Sequence, residues 1–161
     1  MTTKAERTFA RSPRALVEGM FTPDYRAARS AALGGTDPIT VERLDGVVVV
    51  RFPRRLPMDD VPAALRPLAG SGEIVQVERW HRVSDDGCAA TWTTESALPG
   101  TVSGTFDVVP APGGATYRIV ATAKVSVPLI GGRIGAEVER HVANLIEAEM
   151  DFAERWLAEP D

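Results

Sequence analysis

The last third of the chain constrains the fold most. From Thr116 to Val127 the sequence alternates. Tyr117, Ile119, Ala121, Ala123, Val125 and Val127 fall on one side, and Thr116, Arg118, Thr122, Lys124 and Ser126 on the other, with Val120 the one apolar exception. Period two marks a strand with one buried face, because successive side chains point to opposite faces of a sheet. Pro128 and the glycines Gly131, Gly132 and Gly135 lead into a long amphipathic helix ending near Leu157, with Ile134, Val138, Val142, Leu145, Phe152 and Trp156 on one stripe. A sheet with one apolar face, followed by a helix with one apolar stripe, predicts an α+β domain in which a curved antiparallel sheet wraps a terminal helix.

Upstream, Lys4 to Ala10 reads as a first strand. Ser12-Pro13 and Thr22-Pro23 each place a capping side chain before a proline, which suits the first helical position because the missing N–H would be unpaired there anyway. Two short helices follow, over Arg14–Phe21 and Asp24–Leu33, the second ended by Gly34-Gly35. Ile39–Leu44 and Val47–Phe52 form a hairpin about Asp45-Gly46, a strong turn signal. Pro53, Pro57, Pro62 and Pro67 break up a covering segment, in which Asp59 or Asp60 caps one short helix through Leu65. Strands are then predicted over Glu73–Val83, Cys88–Ala97, Thr101–Val109 and Thr116–Val127, giving seven in all. No repeat or linker divides the 161 residues, so one domain is expected over 1–161.

The two hairpin turns at Leu98–Gly100 and Pro110–Gly114 set a register that puts Trp92, Phe106, Tyr117 and Ile119 on the inner face. For the strand at Glu73 both faces are mixed: Trp80 goes with Ile74, and Val75 and Val77 go with His81. Ala90, Gly104, Ala121 and Ala123 also turn inward. Small residues opposite a helix either let it approach or leave a void, so a cavity is one of two expectations for this core.

Composition excludes several roles. The formal net charge is -4, with acids and bases interspersed, whereas phosphate-binding surfaces carry a basic stripe. No nucleic-acid partner is expected. The densest basic cluster, Arg51, Arg54 and Arg55, reads as a solvated strand end. A single cysteine, Cys88, rules out an intrachain disulfide. The polar N-terminus lacks the apolar stretch of a signal peptide, and no apolar run approaches a membrane span, so a cytoplasmic location is expected. Two histidines and one cysteine, far apart, offer no metal-ligand spacing, and no cofactor is expected.

Glu149 is the sharpest candidate for chemistry, since it falls inside the apolar stripe between the directions of Leu145 and Trp156. It reads either as a polar anchor or acid/base group for a ligand, or as half of an ion pair with an arginine from the sheet. His141 lies on the edge of the same stripe, about 12 Å from Glu149 along the axis, too far for a direct hydrogen bond. Cys88 and His81 lack the orienting group and oxyanion hole that a nucleophile needs. The run Gly131-Gly132-Arg133-Ile134-Gly135 fits no phosphate-loop pattern, and reads as a sharp turn into the helix.

The order of elements, the run Glu78-Arg79-Trp80, the run Val127-Pro128-Leu129-Ile130-Gly131-Gly132 and the tail Glu149 to Leu157 together resemble the START-like, polyketide-cyclase-like superfamily (SRPBCC, the helix-grip fold). Within it the chain is similar to an uncharacterised, domain-of-unknown-function family common in high-GC Gram-positive bacteria. The resemblance implies a hydrophobic cavity between sheet and helix, used for lipids, polyketides or similar ligands. The expected function is therefore noncovalent binding or transport of an apolar or amphipathic small molecule. Trp92, Phe106, Ile119, Val138 and Leu145 are the expected walls, and Tyr117 and Glu149 the polar groups. The rival readings are a cyclase or dehydratase using Glu149 as acid/base, and an interaction module with a filled core, such as a homodimer through a sheet edge. No catalytic motif fixes a reaction.

Overall fold

Alternation in the sequence becomes seven antiparallel strands, in the spatial order β1-β7-β6-β5-β4-β3-β2. The strands are β1 (Thr2–Phe9), β2 (Thr40–Leu44), β3 (Val47–Arg55), β4 (Glu73–Ser84), β5 (Gly87–Ser96), β6 (Thr101–Ala111) and β7 (Gly114–Lys124). Two short helices, α1 (Pro13–Met20) and α2 (Pro23–Ala32), separate β1 from β2, and α3 (Gly131–Trp156) ends the chain. This is an α+β helix-grip fold. The computed structural model describes residues 2–126 and 131–158, apart from the side chains of Asp60 and residues 131–133. The expected strand end at Val127, with Pro128, Leu129 and Ile130, lies outside the described residues.

Local chemistry explains the element boundaries. Ser12 and Thr22 cap α1 and α2 through their hydroxyl oxygens, which accept from the backbone N–H of Ala15 and Tyr25. Asp45 and Gly46 both take positive φ, 51° and 78°, the pairing that a tight right-twisted hairpin needs. β3 runs three residues beyond the expected Phe52 because Pro53 is tolerated there. The β2 pairing stops at Arg51, so beyond it β3 has β4 as its continuous neighbour and the absent Pro53 N–H breaks no central ladder. The expected short helix before Leu65 is replaced by two separate 3-10 turns, Met58–Asp60 and Arg66–Leu68.

Curvature comes from two places. The β4–β5 register shifts between Trp80 and Arg82, leaving exposed His81 as the extra residue of a bulge, which bends a strand and raises its twist. Gly104 on β6 lies under the Val120 carbonyl oxygen, where an added Cβ would overlap it. Only glycine lets the two strands approach so closely there.

The inner face is read directly from the ladder. Phe106 pairs with Ile119, and Trp92 with Gly104, so Trp92, Phe106, Tyr117 and Ile119 share the concave side as the turns predicted. β4 turns Ile74, Gln76, Glu78 and Trp80 the same way. Phe106 stacks between Trp80 and Trp92 at 5.6 and 5.8 Å, forming a three-ring floor across β4, β5 and β6. α3 packs over β1 and β7. Its buried arc is broader than the predicted stripe and includes Ile146, Met150 and Ala153. Trp156 departs from that stripe: it is 45% exposed, in the final turn, with its ring stacked on Phe152. No helix among the described residues is long and apolar enough to cross a membrane.

Candidate functional site

The sheet and α3 do not close on each other completely. Between them lies a cavity of about 140 Å³. Its floor is Trp92, Phe106, Ile119 and Ala123, and its roof is Val138, Val142, Leu145, Ile146 and Glu149 of α3. Its remaining sides come from Leu56, Val61 and Leu65 of the proline-rich segment and from the turn Leu98–Thr101. The two cover elements are anchored by a small separate core, in which Val61, Leu65 and Ala69 pack with Ile134, Leu98 and Val125. Small side chains account for part of the space: Ala123 faces the cavity where a larger strand residue would fill it.

A second cavity of about 10 Å³ lies further along the sheet, bounded by Met20, Phe21, Tyr25, Arg29, Trp80 and Tyr117. Glu149 borders both spaces. The short helices α1 and α2 flank this small cavity, and among the described residues neither contributes a wall to the large one. The large cavity is therefore covered by the 56–65 segment and the Leu98–Thr101 turn, not by the short helices.

Charge is buried beside both cavities. Arg29 of α2 is 5% exposed and Glu149 7%, and the Arg29 Nε donates to Glu149 Oε1 at 2.7 Å. The Arg29 Nη2 donates at 2.7 Å to Glu78 Oε2 on β4. Glu78 also accepts from Gln76 Nε2 at 3.0 Å and from the Trp80 indole N–H at 3.2 Å. Buried charges are tolerated when paired and hydrogen-bonded, and each charge in this cluster has an opposite charge at 2.7 Å. Burial alone pulls Arg29 down, but Glu149 and Glu78 outweigh it and hold its guanidinium well above the usual arginine range. Helix α2 presents Tyr25 and Arg29, four residues apart on one face, as its buried side chains.

Arg54 behaves differently. It follows Val48, Val50 and Phe52 on the inner face of β3, is 7% exposed, and lines the large cavity. The reading of Arg51, Arg54 and Arg55 as a solvated strand end holds for Arg51 and Arg55 and fails for Arg54, because period two carries the middle residue inward. Its guanidinium lies 4.8 Å from the Phe52 ring centre. Burial lowers its pKa, an effect partly offset by the field of Glu149.

The structure brings Trp92, Phe106, Ile119, Val138, Leu145 and Glu149 together around the large cavity. Tyr117 is set apart. Its ring packs between Phe106 and Phe9, at 6.0 and 6.3 Å, and borders only the small cavity. Burial, then the Glu149 charge, pushes its hydroxyl well above the ordinary tyrosine value. The partner of Glu149 is also corrected: its arginine comes from α2, not from the sheet. Sequence reasoning misses Arg29, Arg54, Gln76 and Glu78. His141 borders the large cavity, 3.9 Å from Glu137. Cys88 is buried, its thiol donates to the Ser84 carbonyl, and burial raises its pKa, which opposes thiolate chemistry. Among the described residues no group of His, Cys, Asp or Glu is arranged to hold a metal ion.

No curated protein matches the sequence. Solved structures do match in fold. TTHA0849 from Thermus thermophilus is 14% identical, with a TM-score of 0.65 over 96% of this chain and 95% of that one. The Zhui aromatase/cyclase from Streptomyces sp. R1128 is 13% identical, with a TM-score of 0.60 over 95% of this chain and 90% of that one. The di-domain ARO/CYC BexL from the BE-7585A biosynthetic pathway is 15% identical, with a TM-score of 0.63 over 99% of this chain and 50% of that one. At these identities the likeness is one of fold, and it agrees with the helix-grip architecture built above. The family profile "Protein of unknown function (DUF2505)" matches residues 4–157, nearly the whole length described. The chain belongs to the DUF2505 family.

Proposed function

We propose that this protein binds a compact apolar or amphipathic molecule, noncovalently, in the cavity between the sheet and α3. The cavity itself carries the reading. Close-packed interiors leave few voids larger than a water molecule, and this one holds about 140 Å³ lined mainly by aliphatic and aromatic side chains. A void of roughly this size lined by apolar groups accepts a benzene-sized guest. Drug-sized sites run to roughly 300 Å³ or more. A multi-ring polyketide or a long lipid would therefore require the 56–69 segment or the Leu98–Thr101 turn to move aside.

Burying a one-ring ligand removes on the order of 200 Å² from water. At about 25 cal/mol per Å² that is roughly 5 kcal/mol, from which the cost of association is subtracted. Modest affinity is the expectation. Trp92, Phe106, Ile119, Val138 and Leu145 supply the apolar walls, and Glu149 a polar margin. An acid/base role for Glu149, as in a cyclase or dehydratase, needs that carboxylate to trade protons with a substrate while it holds Arg29 at 2.7 Å. Binding makes no such demand. Native mass spectrometry of freshly purified protein, joined to a thermal-shift panel of one-ring apolar compounds, tests the proposal. A retained small-molecule mass or a rise in Tm supports it. Neither signal across the panel would favour the filled interaction module.

A further inference from the structure

Resting on that reading of the cavity, we infer that its occupant is an organic acid, a compact apolar body bearing one carboxylate, and that Arg54 takes the carboxylate. The other buried charges near the cavity each have a partner at contact distance, two carboxylates sharing one guanidinium: Arg29 meets Glu78 and Glu149, and Glu78 also accepts from Gln76 and Trp80. Arg54 is only 7% exposed on the cavity wall, yet its side chain has no ion pair or hydrogen bond among the described residues, and its Nε is an orphaned donor. Its company is the Phe52 ring.

A guanidinium carries five N–H donors and no acceptor, so what it lacks is an oxygen. Its planar fork fits the two oxygens of a carboxylate, and burial strengthens such a pair relative to water. A neutral oxygen would satisfy the donors but leave the cation without a counter-charge in contact. Glu78 and Glu149 act on Arg54 only from beyond ion-pair distance, because Arg29 holds both. Glu149 on the roof is held by Arg29 and Lys124 on the wall is exposed, while the part of the space faced by Ile119, Val142 and Leu145 offers no charge, so the ligand's other end is apolar. Trp92 Nε1 is a second orphaned donor, but it stands over Gly104, where an added Cβ would be 2.9 Å away, and that closeness leaves no room for a head group.

Calorimetric titration of the full chain with octanoate against octanol, and benzoate against benzyl alcohol, tests the assignment. In the wild-type protein the acids bind roughly tenfold or more tighter than the matched alcohols, the usual yield of a charge-assisted hydrogen bond. Arg54→Met abolishes that preference, bringing the acid-to-alcohol affinity ratio to about one. Methionine keeps much of the length of the buried side chain without its charge, so the fold is expected to stand. Should the methionine variant not fold, Arg54→Gln, which keeps donors and loses the charge, gives the same loss of preference. Equal binding of acid and alcohol to wild type overturns the assignment while the cavity reading stands. A preference that survives in a folded variant overturns it too, and assigns Arg54 to balancing Glu78 and Glu149. Failure of all four compounds to bind the wild-type protein removes the cavity reading and this inference together.

Discussion

Arg29 and Glu149 meet at 2.7 Å across 120 residues of chain, and the same guanidinium holds Glu78 of β4 with its second nitrogen. One side chain from a short helix therefore ties the terminal helix to the middle of the sheet. Helix α2 contributes little apolar surface of its own, and its buried side chains are Tyr25 and Arg29. The position of α2, and the closed end of the core beyond the cavity, depend on this polar junction as much as on packing.

Breaking the junction at its centre should cost more than breaking one arm. Arg29→Met leaves Glu78 and Glu149 buried without their cation, and a loss of about 3–5 kcal/mol is expected. Glu149→Gln keeps the Arg29–Glu78 arm and a hydrogen-bonding side chain, with an expected loss of about 1–3 kcal/mol. Urea denaturation of both variants measures the difference. Equal losses would show that the two arms do not share one cation as the geometry requires.

The protein has two tyrosines, Tyr25 and Tyr117, and both are buried. Burial, followed by the Glu149 charge, raises both hydroxyls above the ordinary value. The unfolded chain releases these protons near pH ~10, whereas the folded protein retains them. The unfolded state then binds fewer protons, so stability is full below pH ~10 and falls as pH rises above it. An alkaline titration should show no tyrosinate absorbance before far-ultraviolet circular dichroism is lost. Tyrosinate appearing in a still-folded protein would contradict the burial of these hydroxyls.

Filling the cavity should separate binding from folding. Ala123→Leu extends an inward β7 side chain into empty space. The variant is expected to remain folded with stability unchanged or raised by about 1 kcal/mol, and to lose roughly tenfold or more in affinity for benzene-sized ligands. A destabilisation of about 1–3 kcal/mol, the usual cost of overpacking, would mean that the space is already occupied by protein.

The legible part of this sequence is its periodicity. The β7 alternation, the Asp45-Gly46 turn and the Ser12-Pro13 and Thr22-Pro23 caps specify elements by local rules, and the two hairpin turns place Trp92, Phe106 and Ile119 on one face. The polar half of the site is illegible for a different reason. Arg29 and Glu78 become interior only when α2 packs against α1 and α3 and its Arg29 reaches Glu78, and no local pattern states that packing. Arg54 is the instructive exception. Val48, Val50 and Phe52 point to its inward face by simple alternation, but the intervening Pro53 reads as a strand terminator and hides the continuation. Glu149 is visible as a charge within an apolar stripe, whereas its partner, 120 residues away in sequence, is not.

The most direct test of the central claim is diffraction from a crystal of the protein soaked in iodobenzene. The account predicts an anomalous iodine peak between Ile119 on the floor and Leu145 on the roof, with the surrounding side chains essentially unmoved. Well-ordered protein density filling that volume, with no iodine there at full soak, would contradict it.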